Sequence, residues 1–400
     1  MINNGIKKVL GFYAFIFISA CGYRAPLAPL DDISEDDDEV LIVFTGDVMV
    51  HLPQINRAFS KESGGYDFSP SFKHIKGYIQ KADTGVCNFE STLAGKEKGY
   101  SGHPRFNAPD ELARDLKNVG FDFVATANNH SLDTKEEGLY RTVEIFRKAG
   151  MKPFGTAKTQ AERNTPPVLD VNGITIAFLA YTVSTNQIPV PEGKEHIVNL
   201  IDTDDLKSAY KTFKLDIEKA RHRGAELVAV YMHWGEEYEF EPGRNQKVLA
   251  SLLARAGANL VLGSHPHVIQ PMEYIEINGE NENENKTLVA YSMGNFVSNQ
   301  HYIPDVIPTA EVELGKILKI YVKNDKKESR LRINDVKYML TWVDRLNGHR
   351  ILPLKSVIHS PLQTYGLSKK KRSQLVVFWN RITERLEGFE HVDMENLTVE

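Results

Sequence analysis

Short apolar runs that end in polar, ligand-capable residues recur along this chain and alternate with amphipathic helical patterns. Leu260-Val261-Leu262 is followed by Gly263-Ser264-His265-Pro266-His267, and Val40–Phe44 is followed by Thr45-Gly46-Asp47. Short apolar runs between helical patterns are typical of buried strands in an α/β sheet. Such sheets bind ligands beyond the carboxyl ends of their strands. The alternation therefore predicts an α/β fold whose functional residues follow the strands.

The histidine pair at 265 and 267 is the clearest candidate for chemistry. In an extended segment, residues at i and i+2 project to the same side, so both imidazoles can reach one point. Pro266 between them fixes one backbone angle and disfavours a helix. Imidazole is the commonest neutral metal ligand and the usual acid–base group near neutral pH. A polar loop in which both histidines only form hydrogen bonds is an equally open interpretation of the pair alone.

The composition excludes several classes of protein. With 400 residues, 42% hydrophobic and 25% charged, the chain resembles a globular protein with a full-sized core. The formal net charge of −5 provides no basic surface for nucleic acid, so no nucleic-acid partner is expected. The two cysteines do not suggest a disulfide framework, and Cys87 is interpreted as a small core residue.

The amino terminus has the pattern of a secretory signal. Lys7 and Lys8 precede an apolar stretch from Val9 to Ile18 that is too short to span a bilayer. Ile18-Ser19-Ala20-Cys21 resembles the bacterial lipobox, which implies cleavage before Cys21 and lipidation of its sulfur. The expected product is an extracytoplasmic protein anchored by lipid to a bacterial membrane. An ordinary signal peptide or an uncleaved anchor is the alternative.

The remaining chain divides into three parts by composition. Residues 22–39 contain prolines and an acidic run, which predicts a solvated linker after the 1–21 signal. Residues 40–300 carry the strand–helix alternation. Residues 301–400 are expected to complete the domain with a β-hairpin and a C-terminal helix.

Polar clusters follow six of the predicted strands. They are Asp47, Asn88 with Glu90, Asn129 with His130, His233, His265 with His267, and Asn295. We expect these clusters to share one edge of one sheet, because packing alone does not require such a repetition. For Asp47 alone, capping of the following helix is equally open, and His51 is interpreted as a cap or surface residue.

The mixture of carboxylate, amide and imidazole predicts a site for Mn²⁺, Fe or Zn²⁺ with one or two ions. Such ions can clamp a tetrahedral phosphorus centre and activate water, and a free histidine can protonate the leaving group. The predicted metal ligands are Asp47, Glu90, Asn129, His233, His265 and His267; the predicted acid–base groups are His130, His233 and Glu90; the predicted binding residues are Asn88, Asn128, Trp234 and Asn295.

The ordered set of motifs resembles the CapA (PgsA-type) poly-γ-glutamate capsule biosynthesis family. The motifs are Gly46-Asp47-Val48-Met49, Asn88-Phe89-Glu90, Ala127-Asn128-Asn129-His130, His233-Trp234-Gly235, Gly263-Ser264-His265-Pro266-His267 and Gly294-Asn295-Phe296. The resemblance implies a layered sandwich of β-sheets flanked by helices, similar to calcineurin-like metallophosphoesterases. It also implies an extracytoplasmic role with an anionic envelope polymer such as poly-γ-glutamate and with membrane-embedded synthesis subunits.

The wider likeness to phosphoesterases is partial. Asp47 matches the aspartate of the first motif, His130 the Asn-His pair, His233 the lone histidine, and His265 with His267 the terminal pair. No Asp-x-His follows the first strand, and Asn88 with Glu90 stands where that superfamily has a bridging aspartate. Two classes of function stay open: a metal-dependent hydrolase or transferase, and a non-catalytic subunit that binds or anchors an anionic polymer. A general envelope phosphoesterase is a third interpretation.

Overall fold

Strands and helices alternate through the chain as the sequence predicts, and they form two sheets. The computed structural model describes residues 39–277, 286–325 and 330–391. The predicted signal peptide with Cys21 lies outside the described residues, as does nearly all of the predicted linker.

Fifteen strands are found in the described residues. They are β1 (Glu39–Val48), β2 (Thr84–Phe89), β3 (Phe121–Ala125), β4 (Lys152–Phe154), β5 (Val168–Val171), β6 (Ile174–Thr182), β7 (Leu227–His233), β8 (Leu260–Ser264), β9 (Met272–Glu276), β10 (Lys286–Ala290), β11 (Asn295–Val297), β12 (Leu314–Asp325), β13 (Arg330–Asp344), β14 (Arg350–Pro353) and β15 (Glu390–His391).

Eleven α-helices accompany them in the same part of the chain. They are α1 (Leu52–Ala58), α2 (Ser69–Phe72), α3 (Lys76–Gln80), α4 (Glu111–Val119), α5 (Lys135–Lys148), α6 (Gln160–Arg163), α7 (Leu206–His222), α8 (Arg244–Ala256), α9 (Leu354–His359), α10 (Leu362–Tyr365) and α11 (Lys369–Arg385). Gly120 and Gly257 end α4 and α8, since both glycines adopt the left-handed conformation directly after these helices.

The strands belong to two separate sheets. The first has the order β14-β13-β12-β1-β2-β3-β4, with β11 beside β1 and β15 beside β13; the second has the order β5-β6-β7-β8-β10-β9. Within the first sheet β1 to β4 are parallel, and in the second β6, β7, β8 and β10 are parallel. The expectation that all six polar clusters share one sheet edge is therefore wrong, because each sheet contributes some of them.

The core lies in three layers of apolar contact, and β1 shows how alternation builds them. Val40, Ile42 and Phe44 face the second sheet, whereas Val43 and Val48 face the helices on the outer side. Helices α7 and α8 cover the outer face of the second sheet. The predicted layered α/β sandwich, with two sheets between helices, is confirmed.

The carboxy-terminal hairpin extends the first sheet. Strands β12 and β13 pair antiparallel, as the alternating patterns around residues 316 and 331 predict, and β12 lies next to β1. The C-terminal helix α11 packs its apolar residues into the layer between the sheets.

Two glycines allow the chain to cross close to itself beside the predicted site. A Cβ atom at Gly46 would lie 1.9 Å from the carbonyl oxygen of Gly294, and one at Gly263 would lie 1.8 Å from that of Tyr291. Since any side chain there would overlap backbone, both positions require glycine. They hold β1 against β11 and β8 against the segment after β10, which positions the loops described next.

Candidate metal centre

The polar clusters converge where the carboxyl ends of parallel strands from both sheets meet. The first sheet supplies Asp47 from β1, Asn88 from β2, Glu90 directly after β2, and Asn129 with His130 from the loop after β3. The second sheet supplies His233 from β7 and His265 with His267 from the loop after β8. Asn295 comes five residues after the end of β10 and begins a further short strand, β11, beside Asp47. The structure thus places a buried group of carboxylates and imidazoles between the two sheets.

Asp47 is held by neighbours on both sides of its strand. It lies in register with Asn88 on β2 and with Asn295 on β11. The Asn88 amide donates to Asp47 Oδ1 at 2.8 Å, and His267 Nδ1 lies 3.1 Å from both Asp47 Oδ2 and Asn295 Oδ1. Asp47 does not cap the next helix, because His51 occupies the N-cap position of α1. Its carboxylate is therefore oriented for the site.

The loop after β8 departs from the extended conformation that the histidine spacing suggested. His265 and His267 have φ angles of 97° and 58°, in the left-handed region that non-glycine residues rarely adopt. Their rings nevertheless converge, with centroids 6.0 Å apart, and His265 lies 4.8 Å from the ring of His233. Strained backbone of this kind concentrates at functional sites, where the surrounding structure maintains it.

Glu90 lies at the centre of the group with its charge unsatisfied. Its side chain is fully buried, and within the described part of the chain neither carboxylate oxygen has a hydrogen-bond partner. The Nε2 atoms of His233, His267 and His130 lie 3.6, 3.7 and 3.9 Å from Glu90 Oε1. A buried carboxylate without partners costs several kcal/mol, and a bound cation removes that cost. The residues present therefore fit a divalent metal ion.

The pKa shifts of the residues at the site also fit metal binding. Burial raises the pKa of Glu90 well above its ordinary value, and the neighbouring charge of Asp47 raises it further. Burial lowers the pKa of His233 well below its usual range and that of His265 to about 4. Burial alone would lower the pKa of His267, but the hydrogen bond to Asp47 and the charges of Asp47 and Glu237 together outweigh burial and raise it. The neutral imidazoles of His233 and His265, and a carboxyl that a cation would ionise, are suited to metal ligation.

Three overlapping sets of side chains bring their ligand atoms within 4.8 Å of one another. They are Glu90–His233–His265, Asp47–Glu90–His267 and Glu237–His265–His267. The first two sets share only Glu90, and the third shares one histidine with each of them, so these residues together would hold a bound ion or ions. Oxygen and imidazole nitrogen in this proportion suit Mn²⁺, Fe or Zn²⁺.

His130 lies beside the ligand sets without belonging to one. Its Nδ1 is 2.7 Å from Asp133 Oδ2, and the same oxygen accepts the backbone N–H of Phe106 at 2.6 Å. The Phe106 ring stands edge-on to the imidazole at 4.7 Å. Asp133 thus fixes the ring so that Nε2 faces Glu90. No role was predicted for Asp133, although its spacing three residues after His130 was a usable signal.

The other predicted residues divide into supporting and distant positions. Asn129 Oδ1 accepts from His233 Nε2 at 2.9 Å, so it contacts the site through that imidazole. Asn128 shapes the loop instead, because its side chain bonds the carbonyl of Phe89 and the amide of His130. Trp234 is not brought into the site: its ring is buried in the core between β7 and α8, and its indole N–H bonds a backbone carbonyl.

Two residues near the histidines, Glu237 and His51, were not among the predicted site residues. Glu237 was given no role, yet it joins His265 and His267 in a ligand set, and it lies four residues after His233 in the same loop. His51, interpreted only as a cap or surface residue, lies edge-on to Phe106 at 5.1 Å. Burial lowers its pKa to about 3, and the nearby His267 contributes.

The chain matches known proteins over the region that builds this centre. The model of the family "Bacterial capsule synthesis protein PGA_cap" matches residues 41–300. The capsule biosynthesis protein CapA of Bacillus anthracis is 27% identical over 74% of this chain and 68% of its own length. The PGA biosynthesis protein CapA of Bacillus subtilis (strain 168) is 28% identical over 66% of this chain and 64% of its own length.

Solved structures with a similar chain path are more distant. The calcineurin-like phosphoesterase YfkN from Bacillus subtilis is 13% identical, with a TM-score of 0.42 over 84% of this chain and 99% of that chain. The NAD nucleotidase NadN of Haemophilus influenzae is 11% identical, with a TM-score of 0.42 over 90% of this chain and 65% of that chain.

Proposed function

The chain belongs to the bacterial capsule synthesis family PGA_cap, and from this premise we propose that it acts in the synthesis or export of poly-γ-glutamate as a metal-dependent hydrolase or transferase. Its relatives are named for capsule and PGA biosynthesis. The substrate class of the proposal is an anionic polymer of the cell envelope or a phosphoester formed with it.

One observation carries the metal-dependent part of the proposal. Glu90 is fully buried, and both of its oxygens lack hydrogen-bond partners among the described residues. Buried polar groups in folded proteins are nearly always bonded, so a carboxylate of this kind indicates a ligand. The imidazoles around Glu90 make a cation the ligand that fits.

The residues that would hold the ion or ions are Asp47, Glu90, His233, His265 and His267. A bound divalent ion supplies Lewis-acid chemistry, since it polarises a carbonyl or phosphoryl oxygen. Asn88 and Asn295 support these ligands, Asn88 by its bond to Asp47 and Asn295 by its bond to His267. Outer hydrogen bonds of this kind orient metal ligands.

His130 is proposed as the general acid. Asp133 bonds Nδ1 and fixes the ring, so that a proton carried at Nε2 lies on the side that faces Glu90. From there it can be given to a departing oxygen or nitrogen of the substrate. Phe106 and the burial of His130 keep water from the far side of the ring.

The proposal includes a location at the cell envelope. It rests on the basic start, apolar stretch and Ile18-Ser19-Ala20-Cys21 pattern of the sequence, which would lead to lipid attachment at Cys21. Within residues 39–277, 286–325 and 330–391, no helix is both long and apolar enough to cross a membrane. A lipid-anchored protein at that position could work with membrane-embedded synthesis subunits.

Elemental analysis of the purified full chain tests the proposal. We expect stoichiometric Mn, Fe or Zn in the parent protein and loss of the metal in a His265→Ala/His267→Ala variant. A His222→Ala/His359→Ala variant is the matched control, because both of these histidines are exposed on helices. The loaded parent should cleave a γ-glutamyl oligomer or a phosphodiester, and the variant should not. A folded parent that takes up no metal when metal is supplied would instead support a non-catalytic polymer-binding subunit.

A further inference from the structure

A cavity on the α1 side of the metal centre has in its wall two side chains, Arg57 and His349, that keep unused hydrogen-bonding or ion-pairing capacity within the described residues. Its volume is about 340 Å³, and its walls include Gln54 and Arg57 from α1, Phe72, Val297 and His349. The loop from β13 to β14 carries His349, and Arg345 in the same loop lies near it. We propose that this cavity binds a carboxylate and an adjacent amide of an amide-linked polyanion; the identity of that polymer rests on the proposed function.

Two arginines belong to the cavity region: Arg57 lines the cavity, and Arg345 lies near His349. Among the described residues neither Arg57 nor Arg345 has an ion-pair partner, and Arg345 Nε is buried without a hydrogen bond. The nearby carboxylate of Asp344 is already bonded to Arg350 and Asn347. Asp67, which also lines the cavity, bonds the backbone N–H of Ser69. Arg57 is therefore available at the cavity wall to bind an anion, and Arg345 adds positive charge near His349.

The position of Arg57 depends on a backbone feature of the facing loop. Gly348 has a φ angle of 94°, and a Cβ atom there would lie 2.9 Å from Arg57 Nε. The absence of a side chain lets the guanidinium lie directly against the loop, next to His349. A planar guanidinium binds a carboxylate through two parallel N–H donors, which makes arginine the residue suited to this task.

His349 adds a requirement for a donor on the ligand. The side chain is only 6% exposed and its Nε2 lies 2.8 Å from Asn299 Oδ1, whereas its Nδ1 has no hydrogen-bond partner among the residues that the structure describes. Burial and the charges of Arg345 and Arg57 lower the pKa of His349 to about 4, so the ring is neutral near pH 7. Because Nε2 donates to the Asn299 oxygen, Nδ1 is an acceptor that needs an N–H or O–H. A ligand with both carboxylates and amide N–H groups satisfies the arginines and His349 together.

The cavity is close enough to the metal centre for one extended chain to reach both. Asn295 bonds His267 at the metal centre, and Asn299, four residues later, bonds His349. Four residues span at most roughly 14 Å. Helix α1 provides a second link, because six residues separate its N-cap His51 from Arg57, a rise of about 9 Å. The cavity therefore fits a subsite for a polymer residue a few units from the reacting bond.

The test measures binding of two probes to the metal-supplied full chain by calorimetry. The first probe is a γ-linked glutamate hexamer, and the second is a polyphosphate of equal charge, which has no amide N–H. The variants are Arg57→Gln/Arg345→Gln and His349→Phe, and thermal melting checks that each is folded. The matched control is Lys207→Gln/Lys211→Gln, which removes two exposed positive charges from α7 on the outer face of the second sheet.

We expect the double arginine variant to bind the hexamer at least about tenfold more weakly, since each arginine loses a charge-assisted hydrogen bond. The lysine control should differ from the parent by less than about twofold. His349→Phe should weaken binding of the hexamer alone. Equal hexamer binding by parent and arginine variant would overturn the subsite, as would a parent that prefers polyphosphate. If the parent takes up no metal yet hexamer binding depends on the arginines, the subsite stands and the metal-dependent function fails.

Discussion

Two buried carboxylates in this molecule have opposite surroundings. Asp216 on α7 accepts hydrogen bonds from Arg163 at 2.7 Å and from the Tyr181 hydroxyl at 3.0 Å, with Lys219 at 3.5 Å. Glu90 is buried at least as deeply, yet its oxygens have no hydrogen-bond partner in the described structure. The first arrangement is complete in the protein itself, whereas a cation would complete the second.

The difference shows how to separate a stabilising group from a functional one. A buried ion pair such as Asp216 with Arg163 balances its own desolvation, and breaking it leaves an isolated charge. Glu90 contributes nothing of this kind to the apo protein, because burial raises its pKa and favours the neutral carboxyl. Substitutions at the two positions should therefore separate metal binding from stability.

The largest effect is expected for Glu90→Gln. Metal affinity should fall more than about 100-fold, since even outer-shell partners of a ligand contribute 10- to 100-fold. The free energy of unfolding of the metal-free variant should lie within about 1 kcal/mol of that of the metal-free parent, because glutamine resembles the protonated carboxyl in shape. Metal titration and urea unfolding measure the two quantities. A large loss of apo stability with metal affinity unchanged would contradict the proposed role of Glu90.

Asp216→Asn should show the reverse. Loss of the charge leaves Arg163 unpaired in a mostly buried position, so the free energy of unfolding should fall by about 3 kcal/mol. The metal content should equal that of the parent. Denaturant unfolding in the presence of a chelator checks the first expectation, and elemental analysis checks the second. A fall in metal content would show that the two regions are coupled.

Asn88→Ala should give an intermediate effect on metal binding. The substitution removes the amide that donates to Asp47 Oδ1, which leaves that oxygen without its orienting bond. Metal affinity should decrease by roughly 10- to 100-fold, as for other residues that position a ligand. Competition with a chelator of known affinity measures the change. Unaltered affinity would mean that Asp47 is not a ligand or needs no orientation.

Lys316 on β12 is another buried group whose charged atom has no hydrogen-bond partner within the described part of the chain. Burial lowers its pKa to about 7, so above that pH the folded protein has released a proton that the unfolded chain still holds. Stability should therefore rise with pH above 7, by at most about 1.4 kcal/mol per unit. The free energy of unfolding, measured from pH 7 to 9, should show this rise in the parent and not in Lys316→Met. The same pH dependence in both proteins would contradict it.

Much of the fold could be predicted from the sequence because the relevant signals are local. Apolar alternation and glycine stops locate the parallel strands and α4, α5, α7 and α8. The residues beside those strand ends also include most of the groups that meet at the site. Prediction failed where a residue's position depends on a partner distant in sequence. Asn295 starts β11 because it pairs with Asp47, and Trp234 points away from the site because its strand end is buried on that side.

The histidine pair shows the same limit within a single loop. Its spacing suggested an extended segment, but both residues have positive φ angles. That conformation is strained in isolation, so it exists only because the bonds to Asp47 and Asn295 and the neighbouring strands maintain it. Local sequence preferences cannot predict a backbone conformation whose strain is compensated by contacts with residues distant in sequence.

The sequence by itself determined which residues are available for chemistry and that they follow strands, since side-chain type and apolar period are properties of the chain. Only the tertiary structure decided that two sheets, not one, deliver them. Stacking the sheets encloses Glu90, removes it from water and brings the imidazoles of His233 and His267 within 4 Å of it. Burial and distance across the two sheets are what turn six separate polar clusters into one candidate metal centre.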